Sequence, residues 1–236
     1  MASFFPENRT GRGILTNALI AAVSLFVNGF GIYLTIRAGI GSAPWDVFNL
    51  GLSHTFGILY GTASIAVSLC VLGIDLLMRE PIGLSMLIDS VVVGKSVDLF
   101  NFLDIVPVPS SLLISIPMLI AGLFIIGYTQ YFYMRASLGC GPRDTLIVGL
   151  KKRLHRLPIG IVSVALTSVV TLIGWLLGGP VGIGTLLCAF GAGPIMQFAF
   201  FTFRFDAAST KHQNIIESLR IIADLKRKSN IDGGKE

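Results

Sequence analysis

Two ten-residue stretches carry the densest chemistry in this chain. Arg37, Ala38, Gly41, Pro44 and Asp46 recur in the same order as Arg135, Ala136, Gly139, Pro142 and Asp144, 98 residues later. Proline opens a helix well, because its φ is preset and it needs no amide partner. The N-terminus of a helix carries about half a positive charge and unpaired N–H groups. Each stretch therefore predicts a helix start able to hold an anion, provided the loop before it dips into a membrane. Arg37 and Arg135 would add fixed positive charge. Asp46 and Asp144 fall in the first turn, where a carboxylate can cap free amides or pair with the arginine nine residues earlier. Ser42 and Cys140 hold equivalent places in the two glycine-rich loops. Both could line a site, but neither has the His or Asp company of a nucleophile. The expected solute-binding set is thus Arg37, Gly41, Ser42, Pro44 and Asp46 with Arg135, Gly139, Cys140, Pro142 and Asp144.

A second group is Asp89, Lys95 and Asp98, inside an apolar run bounded by Pro81 and Pro107. Charges at membrane depth cost at least ~2.5–3.5 kcal/mol each, so they usually face a cavity or a partner. Lys95 and Asp98 are three apart and can meet on one helical face. They read either as a structural pair or, with Asp89, as ion- or proton-coupling groups.

The other reactive side chains form no set. His54, His155 and His212 are scattered, and Cys70, Cys140 and Cys188 share no metal or redox spacing. No catalytic residues, metal ligands or cofactor are expected, and an enzyme is the weaker reading. Asn28, Gln130, Tyr131 and Gln197 read as helix–helix hydrogen-bonding groups.

The elements that must position these groups are long apolar helices. The chain is 53% hydrophobic and only 13% charged, with a mean hydropathy of +0.78. A soluble domain carries roughly 25% charged residues. The excess lies in runs near the ~20 residues that cross a bilayer. Six are expected, at about 14–36, 58–78, 82–103, 111–134, 159–177 and 181–203. Two shorter stretches, 44–56 and 142–154, open on the motif prolines and are too short to span. After residue 205, Ile215, Ile216, Leu219, Ile222 and Leu225 recur at helical spacing among charges, which suggests a helix lying on the membrane surface.

Lys and Arg gather before the first span, at Arg79, at Lys151–Arg156 and after residue 203. The intervening loops are almost free of them. By the positive-inside bias, six spans leave both termini in the cytoplasm. A net charge of +5 is thus a topology signal, with no nucleic-acid partner implied.

The repeat continues beyond the motif. Gly61, Ser64, Pro81, Gly83, Gly94 and Phe102 match Gly160, Ser163, Pro180, Gly182, Gly193 and Phe201 at a shift of 99. Each half holds three spans and one short helix, so an odd number of crossings turns the second copy over. The expected fold is an all-α polytopic membrane protein, six transmembrane helices in two inverted three-helix repeats. Residues 1–13 form a cytoplasmic N-terminus, 14–109 the first repeat, 110–205 the second and 206–236 a basic cytoplasmic tail. Inverted repeats place a transport site near the midplane where the halves meet. The sharp reading makes the short helices re-entrant, and the alternative makes them interfacial.

At Gly41–Asp46, with its echo Gly141–Asp144, the chain resembles the YitT/YczE group of bacterial membrane proteins, over about residues 14–203. The resemblance implies a bacterial cytoplasmic membrane and adds little about substrate. No counterpart of the long soluble C-terminal domain of YitT-like members is expected in the short basic tail, so the chain looks closer to the YczE-like branch. The expected function is a secondary transporter or channel for a small hydrophilic solute, with an anion favoured by the helix starts and motif arginines. The expected partners are the lipid bilayer, that solute and a second copy of the chain. A non-transporting scaffold or regulator is the alternative.

Overall fold

The computed structural model describes residues 11–136 and 141–204, and these form eight helices and no strand. They are α1 Gly11–Arg37, α2 Pro44–Phe56, α3 Tyr60–Leu77, α4 Leu84–Leu103, α5 Leu112–Arg135, α6 Pro142–Arg153, α7 Ile159–Leu176 and α8 Ile183–Thr202. The expected surface helix beyond residue 205, together with Gly139 and Cys140, lies outside the described residues.

Five helices, α1, α3, α5, α7 and α8, are long and apolar enough to cross a membrane. With 20 residues α4 is as long as α8, but Asp89, Lys95 and Asp98 set it apart from those five. The 13 residues of α2 and 12 of α6 rise only about 20 Å at 1.5 Å each, short of the ~30 Å hydrocarbon core. Both begin at the motif proline, after an extended Ala43 or Gly141 that offers no side-chain cap.

At the centre α1 lies along α5. The two backbones approach at Gly31 and Gly122, where a Cβ on Gly122 would stand 2.7 Å from the Gly31 carbonyl oxygen. Beside that contact Asn28 Nδ2 donates to Thr129 Oγ1 at 2.9 Å. Small residues and interhelical hydrogen bonds of this kind hold helices together where lipid removes the hydrophobic drive.

The outer helices pack in matching pairs. α1 meets α4 as α5 meets α8; α2 meets α7 as α6 meets α3; and α2 meets α3 as α6 meets α7. One seam breaks the match. α3 closes on α4 through Gly61 and Gly94, whose backbones touch, so that a Cβ on Gly94 would stand 2.8 Å from the Gly61 carbonyl oxygen. The residues 99 positions later, Gly160 on α7 and Gly193 on α8, have nothing within 4 Å of a Cβ built there.

Candidate functional site

The loop between α1 and α2 is held from behind. Gly41 has φ of 109°, a left-handed conformation that glycine alone adopts readily. A Cβ there would meet the Gly182 amide nitrogen at 2.7 Å and Thr185 Oγ1 at 2.8 Å. Gly184 N–H donates to the Ile40 carbonyl at 2.7 Å. The loop is thereby tied to the start of α8, which aims the first turn of α2 inward.

That turn and the first turn of α6 open on the same cavity of about 370 Å³. Each of the eight helices contributes to its wall, from Asn28 on α1 to Met196 on α8. Pro44, Trp45 and Asp46 enter from one half, and Gly141, Arg143 and Asp144 from the other.

Four ionisable groups dominate the wall. Asp46 is buried and accepts a hydrogen bond from Tyr60 Oη at 2.7 Å, while Asn49 Nδ2 donates to the same hydroxyl at 3.5 Å. Asp89 and Asp144 flank Gly141: a Cβ on that glycine would lie 3.4 Å from Asp89 Oδ2 and 3.6 Å from Asp144 Oδ2. Asp144 is exposed, but the surface it presents is cavity wall. The fourth group is the Arg143 guanidinium, centred 5.0 Å from the middle of the Trp45 ring, within cation–π range. Its charge acts on Asp46, Asp89 and Asp144, yet it forms no contact ion pair with any of them.

Neutral polar groups complete the wall. Ser64 and Ser68, one turn apart on α3, are 3% and 5% exposed and line the cavity. A serine inside a helix commonly bonds back to the carbonyl four residues earlier, as Ser90 and Ser96 do here. Neither Ser64 nor Ser68 makes such a bond, so both hydroxyls are open to a cavity occupant.

Of the residues expected from sequence, Pro44, Asp46, Asp89 and Asp144 are brought together in this wall. Gly41, Ser42 and Pro142 are buried but do not line it. Arg37 does not pair with Asp46; it forms an ion pair with Asp104, and its Nε donates to Tyr33 Oη at 3.3 Å. Arg135 donates to Tyr131 Oη and likewise stays out of the wall. Lys95 is exposed and makes no ion pair with Asp98. Asp98 Oδ1 instead accepts the Gly61 amide at 2.7 Å, capping the start of α3.

Sequence reasoning passed over Trp45 and Arg143, which fill the one variable position inside the Pro-x-Asp motif. The signal was that the two halves differ there by an aromatic ring and a cation, a complementary pair. It also passed over Asp75, fully buried near the end of α3 with neither carboxylate oxygen hydrogen-bonded.

The model of a family of unknown function, DUF6198, matches residues 15–200. The chain belongs to the DUF6198 family. Two relatives come from Bacillus subtilis. The uncharacterized membrane protein YczE is 33% identical over 74% of this chain and 81% of its own length. The uncharacterized protein YyaS is 27% identical over 74% of this chain and 88% of its own. An uncharacterized protein of Haemophilus influenzae is 32% identical over 76% of this chain and 81% of its own. No solved structure matches the chain. The resemblance to YczE-like proteins therefore holds, and with five bilayer-length apolar helices this DUF6198 chain is a membrane protein.

Proposed function

We propose that this chain is a secondary transporter for a small hydrophilic solute, built from six spans in two inverted repeats. The observation that carries the reading is that the first turns of α2 and α6 open on one cavity walled by all eight helices. Short helices whose N-termini point at a central site are a recurring design of inverted-repeat transporters. Non-helical backbone at membrane depth is tolerated where it lines such a cavity.

The helix limits support the repeat. α3 and α7 both have 18 residues and start 99 apart; α4 and α8 both have 20 and also start 99 apart. In this arrangement α4 is the sixth span, and two of its three charges are accommodated, Asp89 at the cavity and Asp98 as the cap of α3. The basic residues Arg79, Lys151–Arg156 and Arg204 support an orientation with both termini in the cytoplasm, by the positive-inside bias.

The mismatched seam favours a transporter over a fixed channel. A groove of about 550 Å³ runs between α7 and α8 and shares Pro44 and Thr167 with the central cavity. The equivalent α3–α4 seam is shut by Gly61 and Gly94. Two like halves held in different states of closure are what alternating access requires of an inverted repeat.

The test is reconstitution of the full chain in liposomes with a panel of small charged and polar solutes. Uptake of at least one solute, lost on Asp46→Asn and Asp144→Asn in folded protein, is the expected result. A scaffold would move none of the panel, and its phenotype in cells would depend on the residues after 205.

A further inference from the structure

We propose that the cavity takes a small organic cation, a solute carrying an ammonium group, with Asp89 and Asp144 as its counter-ions. This rests on the transport reading of the same cavity and names the class of solute it would carry.

The charges in the wall lead to this class. Three carboxylates, Asp46, Asp89 and Asp144, stand against one guanidinium, Arg143, among the described lining residues. Uncompensated charge at this depth is expensive, so an occupant that lowers the wall's free energy brings positive charge. The motif arginines that would have favoured an anion are engaged elsewhere, Arg37 with Asp104 and Arg135 with Tyr131. The two helix starts are no better for an anion, because each already holds a carboxylate in its own first turn. A negative dipole partner is thus in place at both ends.

Recognition groups for an ammonium are also present. The Ser64 and Ser68 hydroxyls are buried, face the cavity and have no partner, so each can accept an N–H. The Trp45 face holds a cation already, that of Arg143. A metal ion fits less well: among the described residues no three His, Cys, Asp or Glu side chains come together as a metal site. Asp89 and Asp144 lie either side of Gly141 while Asp46 enters from the other half, around a space of about 370 Å³, roughly a dozen water volumes at ~30 Å³ each. That room beside a pair of carboxylates suits an organic cation over a point ion.

The chain has two tryptophans, so Trp175→Phe leaves Trp45 as the sole indole. This variant of the full chain, in lipid nanodiscs, is titrated with butylammonium and, separately, with butyrate of similar size. Butylammonium is expected to change Trp45 emission saturably, with no saturable change from butyrate. Asp89→Asn and Asp144→Asn should each weaken the response about tenfold or more, the scale of losing one charged partner. A thermal-melt shift of the unsubstituted chain by butylammonium alone provides the same reading if the variants fold poorly. A saturable response to butyrate, an equal response to both probes or a response to neither overturns the proposal. Butylammonium binding without any solute flux would sink the transport reading and leave the solute class standing. Flux confined to anions would do the reverse.

Discussion

The Arg143 guanidinium sits 5.0 Å from the centre of the Trp45 ring, joining the two copies of the motif at the variable position between proline and aspartate. Residues that follow the two motif prolines, 98 apart in the chain, thus meet across the central cavity. The contact also parks the cavity's cation on an aromatic face, which leaves Asp89 and Asp144 without a contact ion pair.

If that contact couples the halves, Trp45→Leu and Arg143→Gln should be non-additive. A double-mutant cycle on the midpoint of denaturant unfolding is expected to give a coupling of roughly 0.5–2 kcal/mol, the range for cation–π pairs. Additivity within error would mean that the two side chains share a wall without holding it.

The two glycine seams should respond in opposite ways. Gly61→Ala drives a methyl into the Gly94 carbonyl and the Asp98 carboxylate, and overpacking of this kind costs about 1–3 kcal/mol. Gly160→Ala meets nothing within 4 Å, and should leave the melting temperature unchanged or slightly raised. If α7 and α8 close during the cycle, larger residues at Gly160 or Gly193 should abolish flux while thermal stability holds. Full flux from Gly193→Leu would contradict closure at that seam.

Asp98 and Gln197 should also separate stability from transport. Asp98→Ala removes the cap on the Gly61 amide, a loss of about 0.5–2 kcal/mol for a helix start. Gln197 holds the equivalent place on α8 and makes no such bond to α7. Gln197→Ala should therefore cost little stability and slow transport, if it caps α7 only when the seam is shut. Melting curves and liposome flux on both variants check this.

Much of the frame was legible because hydropathy and proline are local signals. The expected span at 159–177 is α7 at Ile159–Leu176, and both short helices begin on the predicted prolines. Asp89 was legible as a charge too costly to strand in lipid, and Asp46 and Asp144 as the carboxylates of a repeated helix start. The partners of Arg37 and Arg135 were not. A long side chain at a helix end can reach several neighbours, and nothing in the sequence marks Asp104 as the one Arg37 finds. Lys95 and Asp98 show a similar limit: three-residue spacing puts them on one face, but a free backbone amide from another helix took the carboxylate. The Arg143–Trp45 pair left only its complementary types as a signal, since it is the tertiary fold that brings the halves within reach.

The proposal of re-entrant short helices requires the starts of α2 and α6 to meet inside the membrane. It is tested most directly by Trp45→Cys with Arg143→Cys in a chain lacking Cys70, Cys140 and Cys188. A short bifunctional thiol reagent is applied in native membranes, and proteolysis between the two sites reveals whether they are bridged. The control pair is Asn28→Cys with Thr129→Cys, across the hydrogen bond between α1 and α5. Both pairs are expected to bridge. If the control bridges and the 45–143 pair does not, the short helices lie at opposite interfaces, about 30 Å apart, and the central cavity is not the site.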